Sequence, residues 1–275
     1  MRLLITVFLF SLVSPAYAQL AVPNDTGIAF GHVHLKVSDP ELHTRLCVDH
    51  FGGDVSQQSG LADRGLTAIN FPNFFIILEE GAPTGGTAGS VMDHIGFKVR
   101  NLADFLANWR AAGYSVDREF VGSEGVPNGY VTMPDGVWVE LQEDQALPVE
   151  ASGYHVHYRT PMYTELLDWY VEVFDLEIRP RGRIETATNV PGMNMSFALP
   201  TGEWADSDTA PTRGRALDHI GFEIDNLEAF YQSLVAKGIE FDVEFREIES
   251  IAVKIAIFTD PSGVRFELTE GLDRW

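Results

Sequence analysis

One pentapeptide occurs twice in this chain of 275 residues: Asp93-His94-Ile95-Gly96-Phe97 recurs unchanged as Asp218–Phe222. Two further motifs recur at nearly the same spacing, His32-Val33-His34 as His155-Val156-His157, and Gly136-x-x-x-Glu140 as Gly263-x-x-x-Glu267. Nearly equal offsets between three separate motifs imply an internal duplication. We therefore predict two domains, residues 29–145 and 152–272, joined by a short stretch that contains Pro148.

Each half contains a finer repeat, because each of the four histidine-bearing strands is followed by a helix pattern. Asp39-Pro40 has the residue types of an N-cap and first helical position, and Thr160-Pro161 is its counterpart in the second half. Asn101 and Asn226 are predicted to cap the other two helices. Short alternating segments such as Val137–Leu141 then follow. The sequence thus predicts an α+β fold of four strand–helix–three-strand (βαβββ) modules, with helices on one face of mixed sheets.

Strand alternation places the repeated histidines and glutamates on the sheet faces that point away from the helices. Solvated sheet faces would explain a lone histidine, but not the same three residue types at matching positions in both halves. Two imidazoles and one carboxylate form a facial triad that binds a divalent ion and leaves coordination positions open. Grouped by sequence half, the predicted metal ligands are His32, His94 and Glu140 in a first site, and His155, His219 and Glu267 in a second.

These motifs together resemble the vicinal oxygen chelate superfamily, which includes glyoxalase I, extradiol dioxygenases and the bleomycin resistance proteins. The resemblance implies βαβββ modules paired into two cup-shaped incomplete barrels. It also implies a divalent metal ion (Fe²⁺, Mn²⁺ or Zn²⁺), with up to two ions per chain, and a small substrate held through two adjacent oxygens. A homodimer is possible in this family.

The sequence departs from glyoxalase I at the position where that enzyme carries a further carboxylate ligand and base. The matching residues here are Ile77 and Ser196, and neither can abstract a proton as a carboxylate does.

The comparison with extradiol dioxygenases is mixed. Tyr130 matches a tyrosine of those enzymes and has Ile257 as its counterpart in the second half, but the upstream histidine is missing. His34 and His157 are candidates to replace it, or else they only line the cavity. The candidate catalytic residues are therefore Tyr130, His34 and His157, and the tyrosine predicts that the first domain is the active one. Lys36 and Arg159 share the cavity face and could pair with a substrate anion.

The N-terminus has the pattern of a cleavable signal peptide over residues 1–18. Arg2 precedes an apolar run, and Ala16-Tyr17-Ala18 is a small-x-small cleavage site. This pattern predicts a periplasmic or secreted protein. A net charge of −21 disfavours nucleic acid and anionic membranes as partners. The single cysteine, Cys47, excludes an internal disulfide and is expected to be a small buried hydrophobe.

Taken together, these features predict an exported, divalent-metal-dependent enzyme of the vicinal oxygen chelate type, either a lyase or isomerase or a dioxygenase. The alternatives are an extradiol enzyme that cleaves catechol rings and a non-catalytic protein that binds or sequesters a small molecule. A further possibility is that one metal ion is structural and the other catalytic.

Overall fold

The computed structural model describes residues 20–275, so the predicted signal peptide lies outside the described residues. The first module comprises β1 (Ile28–Val37), α1 (Pro40–Phe51), β2 (Asp54–Val55), β3 (Leu66–Phe71) and β4 (Phe74–Glu80). The second comprises β5 (Met92–Val99), α2 (Leu102–Ala111), β6 (Val116–Val121), β7 (Pro127–Met133) and β8 (Val137–Glu143). The third comprises β9 (Ala151–Arg159), α3 (Tyr163–Phe174), β10 (Ala187–Val190) and β11 (Met193–Ala198). The fourth comprises β12 (Leu217–Ile224), α4 (Leu227–Ala236), β13 (Phe241–Ile248), β14 (Val253–Thr259) and β15 (Arg265–Glu270).

The predicted α+β class is confirmed, with one module incomplete. The third module has two regular strands after its helix, and isolated bridges at Ile178 and Arg181 stand where another strand was expected. None of the helices within residues 20–275 is long and apolar enough to cross a membrane.

The predicted helix starts are largely confirmed by the capping geometry. Asp39 accepts a hydrogen bond from the Leu42 amide, and Asn101 and Asn226 cap α2 and α4 in the same way. The third helix is the exception. It begins at Tyr163 after a turn, two residues later than Pro161, and its N-cap has no side-chain hydrogen bond.

The modules are joined into two sheets in a crossed order. An eight-stranded sheet has the order β13-β14-β15-β12-β1-β4-β3-β2 and combines the first and fourth modules. A seven-stranded sheet has the order β10-β11-β9-β5-β8-β7-β6 and combines the second and third. In each sheet the central contact is an antiparallel pair of first strands, β1 with β12 and β5 with β9. Each cup is therefore assembled from both halves of the sequence.

The helices pack within the sequence halves instead. Phe51 of α1 packs on Phe97 of β5 with ring centroids 4.8 Å apart, and it also contacts Phe105 of α2. In the second half, Phe174 of α3 contacts Phe230 of α4 and Phe222 of β12. Consecutive modules thus pack through their helical faces, while the opposite sheet faces form the cups. Whether residues 29–145 and 152–272 fold as independent domains stays a prediction.

Two candidate metal centres

The six predicted ligands form two clusters, but not the two clusters predicted from the sequence halves. His94 and Glu140 lie beside His155 of the other half, and His219 and Glu267 lie beside His32. The predicted grouping was wrong because β1 and β9 each pair with a first strand from the opposite half. We call His32, His219 and Glu267 the β1–β12 site, and His94, His155 and Glu140 the β5–β9 site.

The three ligand side chains of the β5–β9 site converge closely. His94 Nε2 lies 3.0 Å from Glu140 Oε2 and 3.2 Å from His155 Nε2, and the His155 nitrogen lies 3.2 Å from the same carboxylate oxygen. Ligands about 2.1 Å from one ion, at angles of roughly 90–110°, lie about 3.0–3.4 Å from one another. The cluster therefore has the spacing of a facial two-histidine, one-carboxylate set.

The β1–β12 site repeats this arrangement. Glu267 Oε2 lies 3.1 Å from His32 Nε2 and 3.2 Å from His219 Nε2. The His32 nitrogen is buried and, despite that distance, has no hydrogen bond of proper geometry within the described residues. A buried ring nitrogen close to a carboxylate but not bonded to it fits two ligands aimed at a common ion.

Aspartates hold one histidine of each site in position. Asp93 Oδ1 lies 2.7 Å from His94 Nδ1, and Asp218 Oδ1 lies 2.6 Å from His219 Nδ1. Arg265 donates to the same oxygen of Asp218 at 2.8 Å. Such carboxylate–histidine pairs fix the ring orientation and leave Nε2 as the ligand atom.

The glycine of each repeated His-Ile-Gly motif makes room for a ligand from the neighbouring strand. A Cβ on Gly96 would overlap the ring of His155, and one on Gly221 would overlap the ring of His32. The motif thus supplies one ligand, His94 or His219, and clears the space for another.

The electrostatics of the β5–β9 site favour the protonation states that metal binding needs in two of its three ligands, His155 and Glu140. Burial lowers the pKa of His155 to about 3, with Arg181 acting in the same direction. Burial by itself would raise the pKa of Glu140, but its contacts with His155 and His94 hold that pKa well below its usual range. Burial likewise lowers the pKa of His94, but Asp93 and Glu140 outweigh it and raise this pKa overall. Glu140 is therefore a carboxylate and His155 a neutral imidazole at neutral pH.

The same balance holds at the β1–β12 site. Burial lowers the pKa of His32, whereas contacts with His219 and His32 keep the pKa of Glu267 well below its usual range despite burial.

The two sites differ in what surrounds them. A cavity of about 270 Å³ reaches the β1–β12 site and is lined by His34, His219 and Glu267. Its apolar wall is formed by Leu66, Ile77, Ile248, Ile251, Val253, Ile255, Ile257, Leu272 and Trp275. Exposed Arg64 and Arg246 belong to the same lining. This site therefore opens into a space of small-molecule size with one apolar wall and several charged side chains.

Polar side chains pack around the β5–β9 site instead. Tyr130 donates to Glu140 Oε2 at 3.1 Å, and Asn128 donates to Oε1 at 2.6 Å. Arg181 is 5% exposed and donates to Ser196 Oγ at 3.2 Å. The counterparts of Tyr130 and Asn128 in the other cup are Ile257 and Ile255, which take the same register positions beside Glu267 and Thr269.

The remaining predicted site residues are distributed over both cups. His34 lies in the apolar cavity, stacks on His219 with ring centroids 4.2 Å apart, and has Nε2 3.3 Å from Glu79 Oε2. Burial and the nearby His219 lower the pKa of His34 to about 4. His157 lies beside the β5–β9 site.

Of the two predicted anion-binding side chains, Arg159 lies 3.5 Å from Asp93, and Lys36 pairs in register with Glu79. Glu79, Asn128, Arg181 and the aspartates also lie at the sites but were not predicted from the sequence. Only the aspartates gave a signal, because they belong to the repeated pentapeptide.

Comparison with known proteins agrees with this fold. Residues 154–268 match the Glyoxalase/Bleomycin resistance protein/Dioxygenase superfamily. The structure is similar to glyoxalase I from Zea mays, with a TM-score of 0.68, 15% identity, and coverage of 90% of this chain and 94% of that one. A single-residue variant of the same enzyme gives a TM-score of 0.70 at 14% identity, covering 90% and 95%.

A candidate dioxygenase from Bacillus subtilis subsp. subtilis str. 168 gives a TM-score of 0.66 at 12% identity, covering 92% of this chain and 86% of that one. At these identities the likeness shows a shared fold. No curated protein sequence matches this chain.

Proposed function

We propose that this chain is a divalent-metal-dependent enzyme of the vicinal oxygen chelate superfamily, acting on a small molecule with two adjacent oxygens; the match of residues 154–268 and the shared fold support this. We place the chemistry at the β1–β12 site. The observation that carries this proposal is the cavity of about 270 Å³, which places an open cleft with one apolar wall beside His219 and Glu267. A cleft that combines apolar side chains with a few converging polar groups is the usual form of a small-molecule site.

His32, His219 and Glu267 would hold the ion, which as a Lewis acid would bind the two adjacent oxygens of the substrate and stabilise negative charge on them. Asp218, itself held by Arg265, fixes the ring of His219 so that its Nε2 faces the site.

His34 and Glu79 form the acid–base pair that this proposal requires. Both line the cavity, and their facing atoms, Nε2 and Oε2, are 3.3 Å apart. An imidazole oriented by a carboxylate can take a proton from a bound substrate or return one.

Cleavage of a catechol ring is the second candidate within this class. The two-histidine, one-carboxylate set suits Fe(II) oxygen chemistry. Ile77 pairs in register with His34 and is buried in the cavity wall, so the carboxylate of the glyoxalase I arrangement has an apolar residue in its place. Residues 1–18 support the further proposal that the enzyme works in the periplasm or outside the cell.

The test is metal analysis of anaerobically purified protein, followed by oxygen uptake with a catechol panel and product analysis with other vicinal dioxygen compounds. Glu267→Gln is the active-site variant, and Glu140→Gln is its matched control in the other cup. We expect Glu267→Gln to abolish turnover and Glu140→Gln to retain it. The reverse pattern would place the chemistry at the β5–β9 site, and tight ligand binding without turnover in any assay would favour a sequestering protein.

A further inference from the structure

His34 and His157 occupy equivalent places in the two cups. Each lies two residues after the first-strand ligand, His32 or His155, and on the same face of its strand. Each offers a ring nitrogen within 4.8 Å of ligand atoms of its own site. The two histidines nevertheless have different surroundings.

The difference comes from one position on the neighbouring strand. In the first module Lys36 pairs in register with Glu79, whose carboxylate holds His34. In the third module the equivalent pair is Arg159 with Ala198, so the carboxylate is replaced by a methyl group. No side chain at this position can hold the second histidine away from its site.

His157 is left with two buried ring nitrogens, and neither has a hydrogen-bond partner within residues 20–275. His157 as a whole is only 4% exposed. Buried polar atoms without a partner are rare and costly, and a metal ion is one group that satisfies them. One ligand atom each from His94, Glu140, His155 and His157 all lie within 4.8 Å of one another.

The side chains packed around the β5–β9 site also favour a metal ion with four ligands. Tyr130 stacks on Trp138 with centroids 4.3 Å apart, and Tyr130 and Asn128 bond both oxygens of Glu140. Closed four-coordinate sites with ordered neighbours are typical of structural metal ions, whereas catalytic sites keep a position open.

We propose that His157 is a fourth ligand of the β5–β9 site, which makes this a closed metal centre that joins the second module to the third. The β1–β12 site stays open because Glu79 holds His34 and because the His34 ring stacks on His219. The inference rests on the proposed function only in assigning the chemistry to the β1–β12 site.

The experiment uses the full chain loaded with Co(II), because four-coordinate Co(II) absorbs visible light much more strongly than five- or six-coordinate Co(II). His219→Ala removes the ion of the β1–β12 site and isolates the β5–β9 site, and Glu140→Ala does the opposite. We expect one ion per chain in each variant, with intense absorption in His219→Ala and weak absorption in Glu140→Ala. Weak absorption in His219→Ala would overturn the proposal.

One matched pair of substitutions tests the ligand itself. His157→Gln in the His219→Ala background should lower the absorption and the cobalt affinity, the latter by at least 10–100-fold. The control, His34→Gln in the Glu140→Ala background, should leave the spectrum unchanged. Unchanged absorption and affinity in His157→Gln would overturn the assignment.

Ala198→Glu keeps the histidine but gives it a partner, so it should weaken the absorption of the β5–β9 site. Glu79→Ala should release His34 and strengthen the absorption of the β1–β12 site. If neither substitution changed the absorption, the role given to this position would be contradicted. These spectra are read without substrate, so an enzyme found inactive would refute the proposed function and leave this result standing.

Discussion

Removing the hydroxyl of Tyr130 tests how strongly the neighbours of Glu140 support the β5–β9 site. The hydroxyl donates to Glu140 Oε2 at 3.1 Å, while the ring stacks on Phe120 and Trp138. Tyr130→Phe keeps this ring packing and removes one hydrogen bond. Asn128 still donates to the other oxygen at 2.6 Å, so the carboxylate is not left without a partner.

The magnitude follows from the kind of bond that is lost. A hydrogen bond to a charged group contributes about 1.5–3 kcal/mol. Loss of such a partner of a metal ligand typically lowers metal affinity about 10–100-fold. We therefore expect a loss of that size at the β5–β9 site and none at the other, where the counterpart is Ile257.

The assay is a competitive chelator titration in the His219→Ala background, so that only the β5–β9 site binds metal. Turnover of Tyr130→Phe in an otherwise unchanged chain gives the second reading. Unaltered affinity would refute this account of the hydroxyl. A large fall in turnover with normal metal content would instead support the prediction from the sequence, that Tyr130 acts in catalysis.

Three other perturbations have specific expected outcomes. Gly96→Ala should empty the β5–β9 site by displacing His155, and Gly221→Ala should empty the β1–β12 site by displacing His32; metal analysis with one ion left in each variant checks this. Burial, helped by Asp273, raises the pKa of Glu223 from 4.5 to about 7, so the folded state binds this proton more tightly than the unfolded state does. The resulting contribution to the free energy of unfolding is complete below pH 4.5 and is lost as the pH rises through 7. The loss is about 3 kcal/mol, and urea unfolding at pH 5 and pH 8 should show it in the wild type but not in Glu223→Gln; parallel pH profiles would contradict it. Removing metal with a chelator should lower the Tm more in His219→Ala than in Glu140→Ala, and an equal change in both would argue against a structural β5–β9 centre.

The sequence predicted the fold well because the fold is built from local, repeated signals. Short segments of sequence specify the helix caps at Asp39-Pro40 and Asn101 as well as the alternating strands. The structure confirms both caps. Periodicity predicts a helix at Thr160-Pro161 too, but a turn comes first, in which the Met162 amide donates to the Thr160 hydroxyl at 3.4 Å, and the helix starts at Tyr163.

The placing of the six candidate ligands on the cup faces could be predicted, but their grouping could not. Each half supplies two histidines and one glutamate on the same faces, so pairing within halves and pairing across halves satisfy the same pattern. The choice depends on which first strands pair with each other, and the sequence repeat does not specify that pairing. Glu79 was missed because it has no counterpart in the repeat, where Ala198 takes its place.

The most direct test of this account is the metal content of two double variants of the full chain. His32→Ala with His219→Ala removes two ligands of one site in the structure, so one ion per chain should remain. His32→Ala with His94→Ala removes one ligand from each site, so both ions should be lost. One ion left in the second variant and none in the first would show that the sites follow the sequence halves, and would contradict the crossed assembly of the two cups.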